Sequence, residues 1–274
     1  MNGKELKEAL RAGRNVYGTA VVSTSPHWPG MIARSGVDFV FLDTEHIPLD
    51  RVELSWMCQT FTALGIAPIV RIPEPEPYGA CVAQDAGAAG IVAPYMETLE
   101  QVRDLRGAVK LRPLKGRRLN DHLQGRALLE DDLLENIRKR NESKLLIINI
   151  ESVPALAALD QILAEPDIDV LLVGPHDLSF NLGVPEQWDH PKFQGAIETI
   201  IKKGRAAGVG VGIHFSWKIE YELKWAQLGA NFLLHSSDIS LVERSLLEDF
   251  ALFRKTLGET EGAGARGRGE GVVI

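Results

Sequence analysis

Glu151 and Asp177 each close a short apolar run, and so do Arg71 and the stretch Asp43-Thr44-Glu45-His46. Brought to one mouth, residues of these types suit a reaction in which negative charge grows on a substrate oxygen. Two carboxylates are hard oxygen donors, and with positions left open they suit Mg²⁺ or Mn²⁺. A 2-oxo acid offers such an ion a carboxylate oxygen and a keto oxygen, and the enolate oxygen is stabilised as charge develops. Arg71 supplies a second cationic contact, or a fork to the carboxylate. His46 is the natural proton carrier near neutral pH, with a neighbouring carboxylate, Asp43 or Asp85, to hold its tautomer.

Each residue taken singly has a plainer reading. Asp177 suits the N-cap of a following helix. Arg71 suits a simple ion pair with Glu45. His214 and His235 end two further runs and read as packed, hydrogen-bonded histidines. The functional reading draws on the number of these residues and their common face. Lysines separate two routes to an enolate, because a Schiff base needs a desolvated lysine at a strand end. Lys144 precedes an apolar run and Lys218 falls in a helical pattern, which leaves the metal route.

The elements that must position these residues repeat a theme of helix end, glycine and apolar run, as in Ala33–Asp43 and Ala83–Pro94. Eight such runs occur, at 16–23, 37–43, 67–72, 89–94, 145–151, 169–174, 209–214 and 231–236. They do not alternate, as expected of strands buried on both faces of a parallel sheet. Helical patterns separate them at 49–64, 76–86, 97–108, 154–164, 192–207, 217–228 and 240–257. Eight strands in this alternation predict a (β/α)8 barrel with its chemistry at the C-terminal strand ends. An open doubly wound sheet is the structural rival. No glycine-rich phosphate loop of either common type is present, which removes its nucleotide-binding versions.

The barrel is expected to span 1–257 as one domain, followed by a Gly-rich tail, 258–274, that is mobile or used in subunit contact. Residues 111–143 read as a long charged loop with one helix near 127–140, placed to cover the mouth. Its Arg117, Arg118 and Arg126 are either contacts for an acidic or polyhydroxylated acceptor or a solvated basic surface. The chain has 274 residues, 45% of them hydrophobic, enough for one large core. No apolar run approaches the ~18 residues of a membrane span, and the N-terminus reads as a polar amphipathic helix, not a signal peptide. Cys58 and Cys81 read as buried thiols, which fits a reducing cytoplasm. A net charge of −7 argues against a nucleic-acid surface.

The ordered set Leu42-Asp-Thr-Glu-His46 with Pro48, Val70-Arg71, Ile150-Glu-Ser152, Val173-Gly-Pro-His-Asp-Leu-Ser179 and Leu182-Gly183 resembles the HpcH/HpaI class II pyruvate aldolases. The resemblance runs from about residue 15 to 256. It implies that Glu151 and Asp177 hold a divalent metal, Mg, Mn or Co. It implies that Arg71 binds and polarises pyruvate, and that His46 is the base, supported by Asp43 and Asp85. It places Asn149, Gly174, Pro175 and His176 around the substrate, and Ser23, at the end of the first run, is expected from its strand-end position to join them. It also implies a hexamer built as a trimer of dimers, with the helix at 240–257 exchanged between subunits. Asn149 stands where the family often has Gln, and His176 where it has a small residue. Its Arg-Gly pair after the fourth strand is here Gly116-Arg117-Arg118. The implied function is a metal-dependent aldolase that makes and cleaves 4-hydroxy-2-oxo acids from pyruvate and an aldehyde. An oxaloacetate decarboxylase or related acyl lyase would use the same enolate, and a barrel that only binds a 2-oxo acid is the alternative of another class.

Overall fold

Apolar runs that do not alternate must bury both faces, and these do so as eight parallel strands. The computed structural model describes residues 1–216 and 218–259. The strands are β1 (Val16–Ala20), β2 (Phe39–Asp43), β3 (Ala67–Arg71), β4 (Gly90–Ala93), β5 (Leu145–Ile150), β6 (Val170–Val173), β7 (Gly210–Phe215) and β8 (Phe232–Ser237). They close in sequence order, with β8 pairing in parallel to β1. The helices are α1 (Gly3–Arg11), α2 (Trp28–Arg34), α3 (Arg51–Ala63), α4 (Pro77–Ala86), α5 (Leu99–Lys110) and α6 (Gly116–Leu123). They continue with α7 (Asp131–Arg140), α8 (Val153–Ala164), α9 (Pro175–Asn181), α10 (Pro191–Ala206), α11 (Ile219–Gln227) and α12 (Asp238–Leu257). This is the (β/α)8 barrel, and the open-sheet rival is excluded. Among the described residues, no helix is long and apolar enough to cross a membrane.

The period of two along each strand divides the core in two. Phe39, Ile69, Val92, Ile147, Leu172 and Phe232 fill the barrel, and Leu6 and Leu10 of α1 close its lower end. Val40, Leu42, Val70, Ile91 and Ile148 face outward against Met57, Phe61, Leu105, Ile197 and Trp225 of the helices. Inside, the rings of Phe39 and Phe232 stack with centroids 4.1 Å apart. Gly18 makes room for that stack, because a Cβ there would lie 2.3 Å from the Phe39 ring. A well-filled floor of this kind leaves the polar residues only the upper strand ends.

Residues 111–143 differ from expectation. They form two helices, α6 and α7, and connect the lower end of α5 to the start of β5. Lys110 confirms that position by donating to the carbonyl of Lys144 (2.6 Å), just before β5. The segment therefore lies on the face opposite the C-terminal strand ends. Arg117 and Arg126 pair with Asp121 at 3.5 and 2.9 Å, and Arg118 pairs with Glu130. Within one chain these arginines are the basic surface of a lower cap, not acceptor contacts. The missed cue was that an insertion after a helix, and before a strand, must open on the strand-start side.

The outer ring is incomplete. Of the twenty residues in α12, only Asp238 is buried, while Leu246, Leu247, Phe250 and Phe253 are exposed. α12 leaves uncovered a groove of about 590 Å³ between α2 and α11, lined by Tyr17, Ile32, Leu223, Leu233 and Val242 among others. Most of the expected tail, from 260 to 274, lies outside the described residues.

Candidate active site

β2 and β3 build the cationic half of the site. Asp43 and Arg71 are register partners at the ends of these strands. Arg71 donates Nε–H to Asp43 Oδ1 (2.9 Å) and Nη2–H to Oδ2 (2.6 Å), a forked pair between side chains only 8% and 2% exposed. Glu45 brings an oxygen to 3.1 Å from Arg71 Nε. Burial alone would raise the Asp43 pKa, but the Arg71 hydrogen bonds and charge outweigh it and hold the carboxyl below its ordinary range. Burial lifts the Glu45 pKa, and the Arg71 charge offsets it only in part because Asp43 and Asp177 push the same way as burial. The expectation that Asp43 fixes the His46 tautomer is thus corrected: its oxygens meet Arg71 and the Glu45 N–H (3.0 Å). The acid nearest His46 is Glu45, 3.9 Å from its Nε2.

β4, β5 and β6 build the anionic half. Glu151 follows β5 and is buried, with Oε1 accepting from the Tyr95 N–H (2.7 Å) and Oε2 from Asn149 Nδ2 (2.9 Å). Tyr95 delivers that N–H from a left-handed backbone, φ 49°, a genuine outlier for a bulky side chain. Gly174 gives Glu151 its space, because a Cβ there would lie 2.4 Å from Oε2. Asp177 sits in the first turn of α9, one turn above Gly174. Burial pushes the Glu151 pKa up to about 7, and the Asp177 charge pushes in the same direction. Asp177 also acts on Glu45 and on the Tyr95 phenol, so it shares their electrostatic neighbourhood.

One cavity joins the halves. Its wall includes Phe41, His46, Arg71, Asn149, Gly174, Pro175, His176, Asp177 and His214. His46 stands at the rim, with a side chain 46% exposed. His176 turns its Nδ1 to Glu186 (3.2 Å) and packs edge-on against Trp188. His214 is a packed, hydrogen-bonded histidine as expected, yet it also lines this cavity. His235 is held by Glu222 at 2.6 Å, away from this wall.

Two predicted site residues are not brought here. Asp85 lies near the end of α4, on the lower side, and pairs with Arg112 at 2.7 Å with its side chain 70% exposed. Within one chain it does not support His46, because α4 runs down the barrel away from β3. Ser23 is absent from the cavity wall; its hydroxyl accepts from the Ser25 N–H (3.2 Å) and its N–H donates to Asp238 (3.0 Å). Its place after β1 suggested substrate contact, but a local turn takes the hydroxyl. Tyr95 and Glu45 were missed as site residues. Only the positive φ of Tyr95 marks it, and sequence carries no direct sign of that.

Comparison with known proteins agrees with this fold. The HpcH/HpaI aldolase/citrate lyase family profile matches residues 19–244. The 2-keto-3-deoxy-L-rhamnonate aldolase of Salmonella gallinarum is 32% identical over 248 residues, covering 90% of this chain and 92% of that one. Among solved structures, an HpcH/HpaI aldolase from Desulfitobacterium hafniense superposes with a TM-score of 0.78 at 26% identity, over 94% of this chain and 98% of that one. The citrate synthase SbnG does so with a TM-score of 0.78 at 28% identity, over 93% and 99%. The chain belongs to the HpcH/HpaI aldolase/citrate lyase family and, like the aldolases it matches, is a carbon–carbon lyase.

Proposed function

We propose that the chain is a divalent-metal-dependent aldolase that forms and cleaves 4-hydroxy-2-oxo acids through a 2-oxo acid enolate, pyruvate being the simplest donor. The observation that carries this reading is the buried Glu151 carboxylate, pushed up to about 7 by burial and the Asp177 charge, and bonded to Asn149 of the cavity wall that Arg71 and Asp177 share. Such a carboxylate is oriented by two donors yet has no ion-pair partner among the described residues. The donor set fits Mg²⁺, Mn²⁺ or Co²⁺, with Glu151 and Asp177 as the residues that would hold the ion. When bound, the ion supplies Lewis-acid stabilisation of charge on the substrate's 2-oxo oxygen.

The chain's own groups do the rest. Asp43 occupies Nε and Nη2 of Arg71, leaving Nη1 to meet a substrate oxygen. The fork fixes that guanidinium before substrate arrives, which is the condition for effective electrostatic stabilisation. Asn149 and Tyr95 hold Glu151 so that its carboxylate need not reorganise. In cleavage, His46 at the rim takes the C4 hydroxyl proton as the C3–C4 bond breaks and the aldehyde leaves. Asp177→Ala with added Mn²⁺ is the direct test. We expect pyruvate methyl exchange with D2O to fall to the uncatalysed rate while metal-free thermal stability holds. Full exchange in that variant after chelation would overturn the assignment. CO2 release from oxaloacetate without aldol cleavage would favour the decarboxylase, and pyruvate binding without exchange a passive barrel.

We also propose that a second copy of the chain completes the outer ring. The exposed apolar face of α12 and the uncovered groove between α2 and α11 are complementary in character, and exchanging α12 would bury both. The hexamer implied by the resemblance is consistent with such a dimer. The unbridged Cys58 and Cys81 fit a reducing cytoplasm.

A further inference from the structure

At the lower end of the barrel, opposite the candidate active site, α1, α5 and α7 enclose a cleft of about 310 Å³. That is the small end of the roughly 300–1,000 Å³ common for pockets that hold metabolites. Six cations line it: Lys4, Lys7 and Arg11 of α1, Arg106 and Lys110 of α5, and Arg138 of α7. Glu8, Glu142 and Asp167 share the wall, and the buried Asp169 lies just behind it. Six cations against four carboxylates leave two positive charges in a chain whose net charge is −7.

Local pairing uses only part of this charge. Lys4 meets Glu142 at 3.1 Å and Arg106 meets Asp167 at 2.9 Å. Deeper in, three cations converge on one carboxylate. Lys110 binds Asp169 directly, whereas Lys7 and Arg11 stand 3.9 and 3.8 Å from its Oδ1, beyond hydrogen-bonding distance. That oxygen has no donor among the described residues. Arg138 forms no ion pair among them either. Arg11, Lys110 and Arg138 each stand in a helix's last turn, where they offset its dipole. Lys7 has no such account, since it sits in the middle of α1 with its side chain 12% exposed. Burial pushes its pKa down to about 8, Lys110 and Arg11 push the same way, and Asp169 offsets them only in part. A largely buried ammonium beside like charges is costly until an anion joins it.

We propose that this cleft binds a small phosphate-class anion, held by Lys7, Arg11 and Arg138 and separate from the enolate site. Phosphate carries close to two negative charges near neutral pH, which matches the local excess. Its oxygens suit guanidinium forks and an ammonium together. The anion is bound and not consumed, so no bond forms or breaks. Asp169 precedes β6 and accepts from the Leu146 N–H of β5 (2.9 Å). An anion anchored here therefore braces the starts of the two strands that lead to Glu151 and Asp177.

Titration calorimetry of the full-length chain with inorganic phosphate, and separately with pyrophosphate, tests this in a chloride buffer of fixed ionic strength. At least one of the two is expected to bind with a Kd below about 1 mM and to raise the thermal unfolding midpoint by mass action. Lys7→Gln and Arg138→Gln should each weaken that binding at least tenfold; Arg138 is exposed, so its variant puts no buried contact at risk. Lys139→Gln removes the same charge next door but outside the cleft wall, and should change affinity less than twofold. Arg71→Gln, in the candidate active site, should leave this binding intact. Neither anion reaching that affinity overturns the proposal. So does equal weakening by Arg138→Gln and Lys139→Gln, which is diffuse surface charge, or binding lost only with Arg71→Gln, which is the other cavity. None of these results touches the enolate reading.

Discussion

Adding one methyl group at Gly174 should damage the proposed metal site without disturbing the fold. The backbone there has φ −85° and ψ 98°, which alanine adopts freely, so the substitution is sterically specific. The new Cβ would lie 2.4 Å from Glu151 Oε2, 3.3 Å from its Cβ and 3.5 Å from its Cδ. Ordinary contact requires the oxygen to retreat by roughly 0.8–1 Å. It cannot do so freely, because Oε1 and Oε2 are held by the Tyr95 N–H and Asn149 Nδ2. A displacement of this size typically costs about 100-fold where geometry is critical, which is about 2.7 kcal/mol. We therefore expect Gly174→Ala to weaken Mn²⁺ binding roughly 10–100-fold, read by calorimetric titration. Metal-free unfolding should shift little, since alanine also restricts the unfolded chain. In a Glu151→Ala background the same change should have no further effect on metal affinity. Wild-type Mn²⁺ affinity in Gly174→Ala, or an equal loss in both backgrounds, would refute the argument that Gly174 acts through Glu151.

Arg71→Lys keeps the charge but loses the fork to Asp43, so kcat/KM should fall at least about 100-fold by steady-state assay, with near-normal activity counting against preorganisation by Asp43. Burial pushes the His214 pKa from about 6.5 down to about 4, so this histidine's contribution to stability is full above 6.5 and is lost as pH falls toward 4. Denaturant unfolding should show that His214→Leu removes about 2 kcal/mol of the stability loss between pH 7 and 5. Phe250→Asp on α12 should leave a monomer by light scattering, and an unchanged oligomer would remove the exchange proposal.

The strand-end residues were legible because the barrel leaves polar groups little other place to go. Arg71, Glu151 and Asp177 follow apolar runs, and closure in chain order brings Arg71 and Asp177 to one cavity with Glu151 bonded to its wall through Asn149. Partner choice was not legible. Asp43 and Glu45 are both within two residues of β2's end, and only side-chain geometry shows that Asp43 takes the fork to Arg71. Tyr95 was invisible because its contribution is a backbone N–H aimed by a positive φ, which no side-chain pattern records. Asp85 was placed by resemblance, and no strand-end argument supported it. The face of residues 111–143 follows from connectivity, since they come after α5 and before β5, whereas their charge alone does not say which end of the barrel they cover.

Charge balance gives the site its last constraint. Asp43, Glu45, Glu151 and Asp177 present four carboxylates to a single guanidinium, and a 2-oxo acid at neutral pH adds a further anion. The fold already resists this accumulation, raising Glu45 and lifting Glu151 to about 7. Protonating those groups, or binding a divalent cation, would each relieve it, and the two compete for Glu151. Metal binding should therefore expel a proton from Glu151 below about pH 7 and progressively less as pH rises above it. Metal affinity should weaken as pH falls below 7, because the proton occupies the carboxylate first. Calorimetry of Mn²⁺ binding in buffers of different ionisation enthalpy reads that proton directly. Binding that releases no proton at pH 6.5, where Glu151 is mostly protonated, would mean that the ion is held elsewhere.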